Sequence, residues 1–306
     1  MRVVVVGCGY VGLELARRLA DRGHDVTGVR RSDAGLDAIE AVRNETTGDG
    51  RVDAVRADTT DPDSLDALPD ADAVVFAASS GGRGAAAARE VYVDGLRNVI
   101  EAYGSRTPVP DRLVYTSSTG VYGDHDGAWV DEGTPIDPTT DKTRVLAEAE
   151  RVALETASAL GVDGTVARFA GLYGPNRYRL ERYLNGSVTA GFLNMVHRDD
   201  AAGAIRHLLE TDRGRGEPVL VVDDEPVEKH AFADWLADAC GVPRPEKRSK
   251  AERIAAGDLS AAAERRIRTS KRCSNERLRA LGYEFVYPTF REGYRDAIRA
   301  FRTLRR

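Results

Sequence analysis

Arg2-Val3-Val4-Val5-Val6-Gly7-Cys8-Gly9-Tyr10-Val11-Gly12-Leu13-Glu14-Leu15-Ala16-Arg17-Arg18-Leu19-Ala20 opens the chain and decides how the rest is read. The valine run is a short β-branched strand. The glycines end it, and apolar residues then recur at helical spacing. Strand, glycine turn and helix in this order are what a dinucleotide-binding βαβ unit needs. Gly7 permits the tight turn, Gly9 lets the backbone approach a pyrophosphate, and Gly12 lets the helix pack closely on the strand. The helix start offers free N–H groups and a positive dipole end to phosphates. Cys8 reads as a small residue tolerated in the turn.

Strand and helix patterns alternate from here. Asp25–Arg30, Val52–Arg56 and Ala73–Ala77 read as strands two to four, and a long helix covers about Ala85–Tyr103. Arg112–Ser117 is strand five, Thr140–Leu160 a helix and Gly164–Phe169 strand six. Asp199–Leu209 is a helix, Pro218–Val222 a strand, and helical stretches lie near Lys229–Cys240, Ser274–Leu281 and Arg291–Arg305. This pattern predicts an α/β fold, a doubly wound parallel (Rossmann) sheet with a smaller C-terminal α/β lobe. The expected division gives residues 1–175 to the nucleotide-binding domain, with 192–223 returning to it. Residues 176–191 and 224–306 form the substrate-binding lobe. Gly81-Gly82-Arg83-Gly84 is a loop at the ligand-binding end of the sheet.

At 306 residues the chain can bury a large core. No apolar run reaches the ~18 to 20 residues of a membrane span, so no membrane partner is expected. Cys8, Cys240 and Cys273 have no metal or disulfide spacing, which points to a cytoplasmic setting and no metal. The net charge of −5 argues against nucleic acid. Lysine is scarce, and arginine supplies nearly all the positive charge. Aspartate exceeds glutamate, as suits either a salt-rich cytoplasm or GC-rich codon usage. The arginine-rich end (Arg295, Arg299, Arg302, Arg305, Arg306) reads as a solvated helix face. A homodimer is left open.

Strand two ends in Arg30-Arg31-Ser32. An acidic residue there would hold the ribose 2′-hydroxyl of NAD, whereas arginine suits a 2′-phosphate, so NADP(H) is favoured over NAD(H). Asp58 and Thr59 follow strand three, where an adenine amino group would lie. The expected cofactor contacts are Gly7, Gly9, Tyr10, Val11 and Gly12 in the loop, and Arg30, Arg31 and Ser32 after strand two. Asp58, Thr59, Ala77, Ala78, Ser79 and Thr116 join them from later strand ends.

A second motif is more specific: Arg112-Leu113-Val114-Tyr115-Thr116-Ser117-Ser118-Thr119-Gly120-Val121-Tyr122-Gly123. Three more follow in order: Arg168-Phe169-Ala170-Gly171-Leu172-Tyr173-Gly174-Pro175, Val196-His197-Arg198-Asp199-Asp200-Ala201 and Lys271-Arg272-Cys273-Ser274-Asn275. Together they resemble the extended short-chain dehydrogenase/reductases, the NAD(P)-dependent epimerase/dehydratases, over almost the whole length. The Gly7-x-Gly9-x-x-Gly12 spacing departs from that family's usual G-x-x-G-x-x-G and is similar to an atypical bacterial YeeZ-like subgroup. The resemblance implies hydride transfer at a hydroxyl or carbonyl carbon of a small molecule, sugar nucleotides being one class. It also adds Gly171 and Leu172 to the cofactor contacts.

Family members react through a Tyr-x-x-x-Lys pair on the helix after strand five. Aligning Arg144-Val145-Leu146-Ala147-Glu148 with the family's K-L-x-x-E puts Thr140 at the tyrosine position and Arg144 at the lysine position. A threonine hydroxyl is a poor acid/base, and arginine holds a ribose but does not share its proton. Gly171 and Tyr92 each replace a family asparagine, while Ser118 matches the active-site Ser/Thr. The expected catalytic set is Ser118, Thr140, Arg144 and Tyr122, with Arg144 also on the cofactor. The expected substrate contacts are Ser80, Ser118, Tyr122, Tyr173 and His197. Tyr122, Tyr173, Lys142 and His197 are the candidates for a re-sited acid/base. The alternative is a non-catalytic NADP(H)-binding redox sensor or regulatory protein.

Overall fold

Seven parallel strands form the central sheet of this computed structural model: β1 (Arg2–Val6), β2 (Asp25–Arg30), β3 (Val52–Arg56), β4 (Ala73–Phe76), β5 (Arg112–Ser118), β6 (Asp163–Phe169) and β7 (Pro218–Val221). Residues 1–82, 84–257 and 259–305 are described. Arg83 of the expected glycine loop and Arg306 of the arginine-rich end lie outside them. The strand order is β7-β6-β5-β4-β1-β2-β3. The chain runs outward from β1 to β3, then crosses back to β4 and continues the other way. The β1/β4 boundary is therefore the switch point where an open α/β sheet forms a ligand crevice.

Both faces of the sheet are covered, which is why β1 is an unbroken valine run rather than an alternating one. Val3 and Val5 face a layer with α1 (Tyr10–Ala20) and α2 (Asp33–Glu45), whereas Val4 and Val6 face the other layer. That second layer holds α3, which runs from Ala85–Arg89 through a π-turn at Glu90–Gly95 into Leu96–Gly104. Beside it lies α4 (Asp141–Arg151), extended by Val152–Thr156 and Ala157–Ala159. Further on, Met195–His197 pairs in parallel with Gly171–Tyr173, α5 (Arg198–Glu210) packs on α1, and β7 joins the sheet beside β6.

The remaining chain builds a cluster around α6 (Lys229–Cys240) and α7 (Arg295–Leu304), with Phe232, Trp235, Phe290 and Tyr294 in edge and tilted ring contacts. Two expectations are corrected here. The 274–281 helix is shorter, Glu276–Ala280, and the 291–305 helix is broken at Tyr294 into Phe290–Gly293 and α7. Helices at Lys250–Ala255 and Ala261–Arg268 were not expected from the sequence, because each is short and only half apolar. Arg295 and Arg299 pair with the neighbouring Glu292 and Asp296, as a solvated helix face does. Among the described residues no helix is long and apolar enough to cross a membrane.

Candidate cofactor cleft and reaction site

A cavity of about 830 Å³ opens at the switch point, within the usual range of ligand sites. Gly7 has φ +80°, and a Cβ there would lie 2.2 Å from Ala78 Cα, so both backbone and space require glycine. A Cβ on Gly12 would meet Val5 Cγ1 at 3.1 Å, the close helix–strand packing its spacing implies. Gly9 is different, because a Cβ there would meet the Arg30 guanidinium (Nη1, 2.8 Å) on the cleft side. Gly9 also starts α1 without a side-chain cap, and the first turn holds no acidic residue. First-turn N–H groups with no acceptor of their own, beside a cradle a Cβ would fill, suit the diphosphate of a dinucleotide. Burial pushes the Cys8 thiol up to about 12, so it stays protonated and is not a reactive group.

Arg30 folds over Gly9 and Gly35, which brings the end of β2 against the glycine loop. Arg31 reaches Asp58 (Nη1 to Oδ2, 3.3 Å) and comes within 3.0 Å of a Cβ position on Gly81. Burial alone would raise the Asp58 carboxyl, but the Thr60 amide and hydroxyl together with Arg31 outweigh it and hold the group below its ordinary value. Ser32 lines the cavity and caps α2 by accepting the Gly35 N–H. Thr59 is fixed against Gly95 of α3, and its carbonyl accepts from Asn98 Nδ2 at 2.9 Å. The strand-end residues Ala77, Ala78, Ser79, Thr116, Gly171 and Leu172 line the same cavity, as do Tyr10 and Val11.

The helix that should carry the reaction differs from its expected register. Thr140 does not face the cleft: it is the N-cap of α4, in a reciprocal capping box with Thr143. Arg144 does not face it either, and its guanidinium pairs with Asp141 at 3.3 Å on the exposed side. The cavity is lined by Lys142 and Leu146 instead. The next residue of that i, i+4 row is Glu150, buried against Arg168. Glu148, which the expected register sets in the family's glutamate position, pairs with Arg89 at the surface. The row that turns to the cavity thus lies two residues beyond the expected one of Thr140, Arg144 and Glu148.

Three further candidates leave the reaction site. Tyr122 is fully buried, donates to the Asp131 carbonyl (2.7 Å) and accepts from Arg168 (2.7 Å), so its hydroxyl is committed and burial raises its pKa. Tyr173 is stacked on Tyr294 behind the cleft, its pKa also raised by burial. His197 is 1% exposed, and its Nδ1 accepts the Asp199 N–H at the start of α5. Desolvation pushes its pKa down to about 4, which makes it a neutral structural group. Ser80 lies just outside the cavity lining, its N–H donating to Tyr92 Oη at 3.2 Å, while Tyr92 itself faces the cleft. Ser118 remains in place, with Oγ accepting the Gly120 N–H at 3.1 Å.

Sequence reasoning missed Arg177 and Arg179, which line the cleft from the segment after Gly174-Pro175. The available signal was two arginines within four residues of a Gly-Pro turn at a strand end.

The profile described as the NAD dependent epimerase/dehydratase family matches residues 3–222. Protein YeeZ of Escherichia coli K12 is 31% identical over 290 residues, covering 94% of this chain and 96% of its own. A functionally unknown conserved protein of Silicibacter pomeroyi aligns with a TM-score of 0.76 at 27% identity, covering 98% of both chains. A dTDP-glucose 4,6-dehydratase of Streptomyces venezuelae with NAD bound aligns with a TM-score of 0.76 at 22% identity, covering 100% of this chain and 98% of its own, a likeness of fold. With its doubly wound sheet, glycine cradle and four ordered motifs, the chain belongs to the NAD dependent epimerase/dehydratase family of extended short-chain dehydrogenase/reductases.

Proposed function

We propose that the protein is an NADP(H)-preferring oxidoreductase of the epimerase/dehydratase type, acting at a hydroxyl or carbonyl carbon of a small molecule held over Ser118 and Lys142. The observation that carries this reading is the continuity of one cleft from Arg30 and Arg31, past the glycine loop, to Ser118 and Lys142. Two arginines where an acidic residue would serve NAD favour a 2′-phosphate. A nicotinamide cofactor held by the glycine loop, Arg30 and Arg31 would supply or accept the hydride. The Ser118 Oγ already accepts a backbone N–H, which leaves its own proton free to donate to a substrate oxygen. Lys142, which lines the same cavity, is the side chain proposed to exchange a proton with that oxygen. The similar Streptomyces enzyme is named for dTDP-glucose, so sugar nucleotides head the substrate panel.

The test is incubation with NADPH or NADP⁺ and a panel of carbonyl compounds and sugar nucleotides, with products separated by chromatography. Turnover that disappears in Lys142→Met supports the reading. Leu146, an aliphatic residue one turn beyond Lys142, favours a second one, a redox sensor without chemistry. Tight binding of both redox forms with no turnover anywhere, and a different oligomeric state for each form, selects the sensor.

A further inference from the structure

Residues 174–179 form a strained strap beside the glycine loop. Gly174, Asn176 and Arg179 have φ of +138°, +62° and +54°, and two of the three are not glycine. The strap is pinned near both ends: Tyr10 Oη donates to the Pro175 carbonyl at 3.1 Å, and Tyr294 Oη to the Tyr178 carbonyl at 3.0 Å. Between the pins, Arg177 lays its guanidinium over the Tyr10 ring, 4.6 Å from the centroid, and lines the cleft. Tyr10 is the first residue of α1, directly after Gly9. Arg17 and Arg18 on the same helix are both tied to Glu14. Among the described residues no carboxylate pairs with Arg177.

We propose that Arg177 clamps the diphosphate of the bound dinucleotide, acting together with the N-terminus of α1. The proposal rests on the cofactor reading above. The glycine loop's own backbone meets a diphosphate with N–H groups and a partial dipole charge. The Arg30 guanidinium also lies against Gly9 but is taken up by the 2′-phosphate in this reading, so most of the diphosphate's two negative charges stay uncompensated. A planar guanidinium supplies a full charge and a two-pronged donor set suited to phosphate oxygens. Double pinning and backbone strain hold the arginine beside the loop before the ligand arrives, so little of its freedom is lost on binding. Arg30 and Arg177 then divide the work, one at the 2′-phosphate and the other at the diphosphate.

Calorimetry with NADPH and with 2′-AMP, which lacks the diphosphate, separates these roles. Arg177→Ala and Arg177→Gln should weaken NADPH about tenfold to a hundredfold, as expected for losing a charge-assisted phosphate contact, and leave 2′-AMP nearly unchanged. The salt dependence of NADPH binding should flatten in both variants. Arg30→Ala should weaken both ligands. Unaltered NADPH affinity in the Arg177 variants, or an equal loss for both ligands, overturns the clamp. If the parent protein binds neither NADPH nor NADH, the cofactor reading itself falls.

Discussion

Arg168 on β6 and Glu150 on α4 meet in a buried ion pair, Nη2 to Oε2 at 2.7 Å and Nε to Oε1 at 3.1 Å, with side chains only 7% and 5% exposed. Ser117 Oγ donates to the same carboxylate at 2.6 Å, and Arg168 Nη1 donates to Tyr122 Oη at 2.7 Å. This network locks the rotation of α4 against the sheet. One and two turns back along the same face stand Leu146 and Lys142, which is why they face the cleft.

Removing one partner of this pair leaves a charge buried without compensation. Glu150→Ala should cost about 3–5 kcal/mol of folding stability, read from urea denaturation. A loss under about 1 kcal/mol would mean that the pair does not set the helix.

Thr140 and Lys142 should separate cleanly. Thr140→Ala removes a helix cap and should cost about 1 kcal/mol of stability with little effect on turnover. Lys142→Met should leave stability within about 0.5 kcal/mol and lower turnover about 10²- to 10⁴-fold. The reverse pattern would return Thr140 to the reaction site.

Cofactor choice should follow the end of β2. Replacing Arg30 and Arg31 with alanine should weaken NADP(H) about tenfold or more and change NAD(H) little, because only the former carries the 2′-phosphate. Equal calorimetric affinities for the two cofactors in the parent would count against the preference.

Asp223 is 2% exposed, and burial raises its carboxyl well above the ordinary value, with Asp224, Glu225 and Asp200 adding repulsion. A carboxyl raised in the native state binds its proton more tightly there than when unfolded. Its penalty is absent below the unfolded value of about 4 and grows by about 1.4 kcal/mol per pH unit until the native group titrates. Asp223→Asn should therefore be more stable than the parent at pH 7, and the difference should vanish below about pH 4. Denaturation curves that differ equally at both pH values would show that the carboxyl is not the cause.

Local signals carried most of the sheet. β2 and β3 lie where the sequence places them, because β-branched runs between turn residues report strands without reference to anything distant. The cavity-lining residues at strand ends were equally legible, because every parallel strand delivers its C-terminal end to the same edge. The face that α4 turns to the cleft was not, since Glu148 and Glu150 look alike in sequence and only Arg168 chooses between them. Tyr122 and His197 misled for a related reason. Both fall in motifs that approach the cleft, but their partners, Asp131 and Arg168 for one and the Asp199 amide for the other, come from the way those segments fold back.

The sequence by itself determined the doubly wound fold, the glycine cradle and the arginines at the end of β2, because each follows from backbone freedom and periodicity within a few residues. The tertiary structure alone decided which side chains of α4 line the cleft. A helix can be recognised from its own residues, but its rotation depends on a buried ion pair with a strand 18 residues further along the chain. The strap that brings Arg177 to Tyr10 depends likewise on contacts spanning more than half the chain, which a local pattern does not encode.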